Sequence, residues 1–114
     1  MTDCVFCSIA EGKIPAKKLY EDEDVIAFYD VAPQAPIHVL VTPKAHVVSL
    51  NQADSLSDHV LAKLLRVAAQ LASELGLKER GYRVVSNCGV DACQSVPHLH
   101  IHLVGGRAMG AELA

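Results

Sequence analysis

The sequence has no long apolar run and no excess of positive charge, and each absence excludes a class of protein. No stretch approaches the roughly 18 consecutive apolar residues of a membrane-spanning helix. The N-terminus, Met1 to Cys4, lacks the basic and apolar regions of a signal peptide, which favours a cytoplasmic location. With 10 basic and 13 acidic residues the formal charge is −3, which leaves no basic footprint for nucleic acid and predicts no nucleic-acid or membrane partner.

The composition is that of one globular domain. The 114 residues are 51% hydrophobic and 20% charged, which predicts a single domain over residues 1–114 with its own core. Four cysteines without a secretory signal indicate free thiols or metal ligands rather than a disulfide framework.

Apolar periodicity predicts one long helix, and a glycine stop signal at Gly12 favours a short one at the N-terminus. Between about residues 56 and 75 the apolar positions recur every three or four residues, as on one face of an amphipathic helix. Ser55 with Asp58 resembles a capping box, and Gly76 suits the position after the last turn. A short helix is predicted over residues 4–10.

The order of the remaining elements predicts the fold class. Residues rich in strand formers alternate with turn signals, among them the acidic run at 21–24, which we expect to form a solvated hairpin turn. Helix, three strands, long helix and two strands is not the order of a parallel doubly wound fold. We therefore predict an α+β domain with a five-stranded antiparallel sheet, its strands at residues 17–21, 25–29, 38–43, 82–87 and 97–104.

Three histidines alternate with apolar residues in the last predicted strand. Side chains of a strand alternate between its faces, so His98, His100 and His102 are expected on one face and Leu99 and Ile101 on the other. Pro97 suits the first residue of that strand, since it has no N–H to donate. The imidazoles indicate either a metal site or a phosphoryl-handling site in which one neutral imidazole attacks phosphorus.

The stretch His98-Leu99-His100-Ile101-His102-Leu103-Val104 resembles the motif of the histidine triad family over its full length. The flanking Gln94-Ser95-Val96 and Gly105-Gly106-Arg107 are similar to the nucleotide-binding phosphoramidase branch. Two departures are Ala92-Cys93, where a glycine pair is usual, and Pro97, where an aromatic residue is common. Cys93 thus puts a thiol next to the phosphate loop.

The resemblance implies a function and the residues that carry it. The implied enzyme hydrolyses purine nucleoside phosphoramidates or acyl adenylates through a covalent nucleotidyl-histidine and uses no catalytic cofactor. His100 is the implied nucleophile, His102 a donor to the phosphate, and Ser95 a donor to the leaving nitrogen or the phosphate. His38 shares a strand face with Leu40 and is expected to be either a partner of the triad or a hydrogen-bonded core histidine. The implied catalytic set is therefore His38, Ser95, His100 and His102.

The resemblance also implies a nucleotide site. Asp30 is the implied ribose anchor, since a carboxylate accepting from two ribose hydroxyls is a common nucleoside contact. Phe6, Ile9 and Ile14 match base-pocket positions, although their apolar character alone predicts core positions. The implied nucleotide contacts are Phe6, Ile9, Ile14, Asp30, Val31, Asn87, Cys93, Gln94, Ser95, His100 and His102.

A zinc site is the second chemical hypothesis. Cys4 and Cys7 have the spacing of a ligand pair, but two thiolates need two further nitrogen or sulfur ligands. By resemblance to some histidine triad proteins these are His46 and His98. The alternative is a pair of reduced thiols.

Two other functions stay open. Another enzyme of the same family would cleave dinucleoside polyphosphates or transfer nucleotidyl groups, and a non-catalytic protein would only bind zinc or nucleotide. The resemblance also implies a homodimer that extends the sheet across a twofold axis, since an exposed edge strand and a wide apolar helix stripe, including Val60 and Val67, need cover. The tail after Arg107 is expected either to approach the partner's active site or to be disordered.

Overall fold

Runs of strand-forming residues build a five-stranded antiparallel sheet, as predicted. The structure is a computed structural model and describes residues 4–113. Pro43 and Gly105 end strands where a missing N–H and a side-chain-free residue weaken the ladder. The sheet has the order β1-β2-β3-β5-β4 and consists of β1 (Lys18–Glu21), β2 (Val25–Tyr29), β3 (Ile37–Pro43), β4 (Tyr82–Val85) and β5 (Ile101–Gly105).

The long helix α2 (Asp58–Glu74) covers one face of the sheet with an apolar stripe. Leu64 and Leu71 are each 1% exposed among the strand side chains of that face, as the three- and four-residue spacing predicts. Val67 is 2% exposed in the same core, so the expectation that it belongs to surplus apolar surface is wrong. Within the described residues, no helix is both long and apolar enough to cross a membrane.

The start of α2 differs from the predicted one. Its N-cap is Ser57, whose hydroxyl accepts a 3.1 Å hydrogen bond from the Val60 N–H. Ser55 is not the cap, because it ends a short 3₁₀ helix, Leu50–Ser55, that the apolar pattern did not predict. That 3₁₀ helix begins with its own capping box between Ser49 and Gln52.

The acidic run forms the β1–β2 turn, but it is not merely solvated. One Asp22 carboxylate oxygen accepts from the N–H groups of Asp24 and Val25, which closes the turn. Lys63 of α2 reaches the carboxylates of Asp22 and Asp24 at 3.1 and 2.8 Å. The turn is thereby tied to the helix.

The opposite face of the sheet is covered at one end only. The short helix α1 (Val5–Ala10) packs Phe6 and Ile9 on Ile26, Phe28 and Leu40. Cys4 caps this helix, accepting from the Cys7 N–H through its sulfur. The strands beyond α1 leave an open cleft, and the histidines lie between helix and cleft.

Candidate functional site

The histidine segment is only half a strand, which corrects the prediction made for it. β5 begins at Ile101, so Pro97, His98 and His100 precede the strand. The ladder with β3 stops at the pair Val41–Ile101, because Pro43 has no N–H to continue it. Leu99 is held instead by two other bonds: its N–H donates to Val47 at 2.7 Å, and its carbonyl accepts from Thr42 Oγ1 at 2.6 Å.

The irregular segment separates the first histidine from the other two. His100 and His102 line the cleft, with ring centroids 5.0 Å apart. The His98 ring is fully buried and points to the sulfur atoms of Cys4 and Cys7. The prediction of one shared face therefore holds for His100 and His102 as cleft residues, but not for His98.

Hydrogen bonds fix the tautomer of His100. Its Nδ1 lies 2.6 Å from the carbonyl oxygen of His98, so Nδ1 carries the proton and donates. Nε2 then keeps its lone pair. The ring of Phe6 packs edge-to-face on this imidazole, with centroids 5.0 Å apart, and limits its rotation. His100 thus presents a basic nitrogen in a fixed orientation.

His102 has the opposite tautomer. The Gln34 N–H donates to His38 Nδ1 at 3.0 Å, so the proton of His38 is on Nε2. That Nε2–H donates to His102 Nδ1 at 2.8 Å, which leaves Nε2 of His102 as an N–H donor. Burial, with lesser effects of the neighbouring His100 and His38, lowers the pKa of His102 to about 4, and the ring is neutral at pH 7.

Asp30 lies beside the hydrogen-bonded chain from the Gln34 N–H through His38 to His102, whose geometry suits a proton relay. Its Oδ2 is 3.4 Å from His38 Nε2, and its Oδ1 accepts from the Ala32 N–H at 2.8 Å. Asp30, His38 and His102 bring three ligand atoms within 4.8 Å, which is compatible with a metal. Nitrogens around a tetrahedral zinc lie about 3.3 Å apart, whereas these two are 2.8 Å apart, the length of a hydrogen bond. The geometry favours the proton relay.

The cleft has a volume of about 610 Å³, within the range of small-molecule sites. It brings together six of the side chains singled out in the sequence. Sequence reasoning did not assign the others to the site, although the Gly105-Gly106-Arg107 motif and the expected role of the tail were signals for Arg107 and Met109. The predicted members are His38, Asn87, Cys93, Ser95, His100 and His102, and the missed ones include Gln34, Arg83, Val85, Val104, Arg107 and Met109.

The side-chain amides of Asn87 and Gln94 hold the loop that precedes the histidines. Gln94 Nε2 donates to the carbonyls of Val48 and Val96 at 2.6 and 3.0 Å, and its Oε1 accepts from the Gly89 N–H. Asn87 Nδ2 donates to Ala92 O at 2.8 Å. Cys93 has φ +59°, a left-handed conformation that favours glycine, which gives a physical reason for the glycine usual at this position.

The remaining predicted nucleotide residues fall in different surroundings. Phe6 and Ile9 lie on the buried side of α1 and are 5% and 7% exposed, while Ile14 is 39% exposed. Val31 is 98% exposed beside Asp30. These five residues are not among those that line the cleft. A nucleotide that contacts them would therefore extend beyond the cleft, around His38 and Phe6.

The four predicted zinc ligands, Cys4, Cys7, His46 and His98, lie together, with one ligand atom each within 4.8 Å of the others, which is compatible with a metal. Four of the separations are 3.1 to 3.5 Å, close to the roughly 3.3 to 3.8 Å edges of a tetrahedron with bonds of 2.0 to 2.3 Å. His98 Nε2–H donates to Pro43 O at 2.8 Å, which leaves Nδ1 unprotonated for a metal. Burial, then the neighbouring Cys4, raises the pKa of the Cys7 thiol to about 11, so a metal must displace its proton.

Known proteins are similar to this chain in sequence and in fold. A family model, the HIT domain, matches residues 11–109. The "14 kDa zinc-binding protein" of Zea mays is 46% identical over 107 residues, covering 92% of this chain and 83% of its own. A "HIT family hydrolase" from Legionella pneumophila Philadelphia 1 is 44% identical with a TM-score of 0.89, covering 96% of this chain and 97% of its own. A "histidine triad nucleotide-binding protein" from Candida albicans is 35% identical with a TM-score of 0.81, covering 96% and 87%. The chain therefore belongs to the HIT family.

Proposed function

We propose that this protein hydrolyses purine nucleoside phosphoramidates, or acyl adenylates, through a covalent nucleotidyl-His100. The opposite tautomers of His100 and His102 carry this proposal, because one ring offers a lone pair and the other an N–H at the same cleft. A nucleophile and an electrophilic donor side by side are what a displacement at phosphorus requires. The "HIT family hydrolase" neighbour supports a hydrolytic reaction.

The reaction has two displacements. In the first, the Nε2 lone pair of His100 forms a bond to phosphorus while the bond to the leaving nitrogen breaks, and this nitrogen departs with a proton from the Ser95 hydroxyl, which the water consumed in the second step replaces. In the second, water attacks phosphorus and the bond to His100 breaks, which releases a nucleoside monophosphate and restores the imidazole. His102 Nε2–H donates to a phosphate oxygen in both steps, and the Ser95 hydroxyl donates to the leaving nitrogen or the phosphate.

The nucleotide is bound on the α1 side of the histidines. Asp30 accepts from the ribose hydroxyls next to Val31, and Phe6, Ile9 and Ile14 contact the base. The phosphate lies by the loop that includes Asn87, Cys93, Gln94 and Ser95. Support comes from the "histidine triad nucleotide-binding protein" of Candida albicans and from the position of Asp30 against His38.

The sulfur and nitrogen ligands of Cys4, Cys7, His46 and His98 fit a structural zinc ion. When bound, the metal supplies a cross-link between α1, the turn after β3 and the histidine segment, with four protein ligands and no position for water. The "zinc-binding" relative in Zea mays supports this assignment.

The functional unit is a homodimer. The edge strand β4 exposes Tyr82, Val84 and Val85, each 39% accessible, and Leu65 of α2 is 57% accessible. An unpaired edge with apolar side chains is the surface that a second copy covers through a twofold axis. Light scattering at micromolar concentration is expected to give twice the chain mass of 12.2 kDa, and the mass of one chain would contradict the dimer.

The activity is tested with matched substrates. We expect adenosine 5′-phosphoramidates of simple amines to be hydrolysed to adenosine monophosphate with higher kcat/KM than a diadenosine polyphosphate. Faster cleavage of the polyphosphate would favour a dinucleotide hydrolase. Binding of adenosine monophosphate without turnover of either substrate would favour a non-catalytic protein.

A further inference from the structure

We infer that Arg83 and Arg107 form a subsite for an anionic group carried by the leaving amine. This inference rests on the proposed function, which puts phosphorus at His100 and His102. Both arginines line the same cleft as these histidines, and neither takes part in the two displacements. A cation beside a reaction site but outside its chemistry is suited to selecting a substrate.

The register of the sheet places Arg83 on the far side of the sheet from Asp30, the proposed ribose anchor. Asp30 N–H donates to His38 O, His38 pairs with Val104, and Val104 pairs with Arg83. Four neighbouring backbone positions thus form one row across the sheet, with Asp30 at one end and Arg83 at the other. Three strand spacings separate these ends by about 14 Å.

The proposed phosphate donor His102 lies on β5, between the strands at the two ends of that row. His102 pairs with Val85, two residues along β4 from Arg83 and on the same side of the sheet. Such diagonal neighbours have backbones about 7 to 8 Å apart, within reach of an extended arginine. If the nucleoside extends from phosphorus toward Asp30, the leaving group extends toward Arg83.

The charge of the cleft favours an anion there. Among the described residues that line it none is Asp or Glu, and Arg83 and Arg107 are its only side chains that carry charge at all pH values near 7. His102 is kept neutral by its lowered pKa. The wall of the cleft is therefore cationic, although the whole chain has a formal charge of −3.

Both guanidinium groups keep donors free for a ligand. Arg83 Nη2 donates to the carbonyl of Gly110, which holds residues Met109 and Gly110 against the cleft. Within residues 4–113 the Arg107 guanidinium makes one hydrogen bond, from Nη1 to the carbonyl of its neighbour Ala108 at 3.2 Å. Each guanidinium has five N–H donors in a planar fork, so each retains enough to bind a carboxylate through two oxygens.

The turn at Gly106 brings the second arginine into position. Gly106 has φ +97°, and a Cβ at this residue would lie 2.9 Å from Pro36 Cβ. The chain therefore turns sharply after β5, so that Arg107 and Met109 line the cleft instead of continuing the strand.

The substrate class that fits is a nucleoside phosphoramidate whose amine bears a carboxylate a few bonds from nitrogen. An amino acid joined to phosphorus through its amino group has this form. An acyl adenylate of an amino acid places an ammonium group in the same region, which two guanidinium groups disfavour. Phosphoramidates of amino acids are thus expected to be preferred over aminoacyl adenylates.

Binding and turnover test the inference separately. Two non-hydrolysable probes, the adenosine 5′-carbamates of β-alanine and of β-alanine amide, differ only in the terminal carboxylate. Calorimetry on the intact protein should give about tenfold tighter binding of the carboxylate probe, as for a charge-assisted hydrogen bond, and a smaller preference at high salt. Arg83→Gln and Arg107→Gln should each reduce this preference at least threefold, and Arg83→Lys should restore part of it.

Arg66→Gln is the matched control, because this arginine is exposed on α2, which packs on the opposite face of the sheet. It should retain the full preference. Equal affinities for the two probes, failure of the carboxylate probe to bind, or a preference that survives both glutamine substitutions would overturn the subsite.

The corresponding phosphoramidates separate this inference from the proposed function. Hydrolysis of both substrates without a carboxylate preference would contradict the subsite alone. A carboxylate preference in binding, with no hydrolysis of either phosphoramidate, would support the subsite and contradict the proposed function.

Discussion

His98 and His100 are two residues apart, yet their rings lie in two different kinds of site. The His98 ring is buried, and its cluster with two half-buried thiols and the exposed His46 gives every ligand atom a neighbour within 3.5 Å. The His100 ring lies at an open cleft, and within residues 4–113 its hydrogen bond is made by one nitrogen, Nδ1. The first arrangement suits a closed metal site, the second a reaction.

A backbone carbonyl group joins the two sites. The backbone oxygen of His98 accepts from His100 Nδ1, so a residue of the metal cluster orients the proposed nucleophile. Phe6 makes a second link, because its ring packs on both imidazoles with centroids 5.8 and 5.0 Å away. We therefore expect the cysteine and histidine cluster to control stability and the cleft histidines to control the reaction. The His98 carbonyl and the Phe6 ring are the contacts through which a change in the cluster would affect the cleft.

Removal of the proposed nucleophile has the largest expected effect. His100→Ala should lower kcat for an adenosine phosphoramidate by roughly 10³-fold or more, since the covalent route is lost. Adenosine monophosphate should still bind, and this control shows that the fold persists. A variant that keeps more than about a tenth of wild-type turnover would show that His100 is not the nucleophile.

Removal of one metal ligand should act mainly on stability. The wild-type protein should contain about one zinc per chain, and Cys7→Ser should lose it together with roughly 2 to 4 kcal/mol of unfolding free energy. The control is Cys88→Ser, a half-buried cysteine outside the cluster that donates to Ser49. Elemental analysis that finds no zinc in the wild type, with both Cys4 and Cys7 freely titratable, would return these residues to the reduced-thiol alternative.

The cleft histidine His102 should make stability depend on pH. Its pKa is about 4 in the folded chain, below the ordinary value of 6.5, so between these values the unfolded chain binds a proton that the folded chain does not. The free energy of unfolding should therefore fall as the pH drops from 6.5 to 4, and His102→Gln should flatten this dependence. Denaturant titrations at several pH values measure it, and an unchanged slope in the variant would contradict the assignment.

Asp30→Asn should have the smallest effect of the four. The substitution replaces a pair of acceptors by one donor and one acceptor, which should weaken adenosine monophosphate binding about fivefold and reduce discrimination against the 2′-deoxy form. Asp54→Asn, an exposed carboxylate of the 3₁₀ helix, serves as the control. An unchanged ribose preference would remove Asp30 from the nucleotide site.

The long helix was predictable from its apolar period, and the strands were predictable from runs of strand-forming residues between turn signals. Sequence reasoning failed at the start of β5, where the outcome depends on Pro43 of another strand ending the ladder, a contact that no local pattern contains. It also failed at the cap of α2, since Ser55 and Ser57 are equally good caps locally and only the 3₁₀ helix distinguishes them.

The part of the candidate site that lies in one sequence motif could be predicted. The part that forms by contacts between distant segments of the chain could not. His100 and His102 follow from the triad, whereas the tautomer relay depends on the Gln34 N–H reaching His38 across a proline-rich turn. Arg83 is an ordinary polar residue of an edge strand until the register sets it diagonally from His102. Met109 and Gly110 of the tail line this chain's own cleft, and the predicted approach of the tail to a partner's active site stays a prediction.

Capture of the covalent intermediate tests the central claim most directly. The wild-type protein is mixed with an adenosine phosphoramidate, quenched within the first turnover, and analysed as intact protein and as peptides by mass spectrometry. The account predicts one adenylyl group per chain, attached to the peptide containing His100, absent from His100→Ala and decaying as adenosine monophosphate appears. Turnover without any adduct in this time range, or an adduct on another residue, would contradict it.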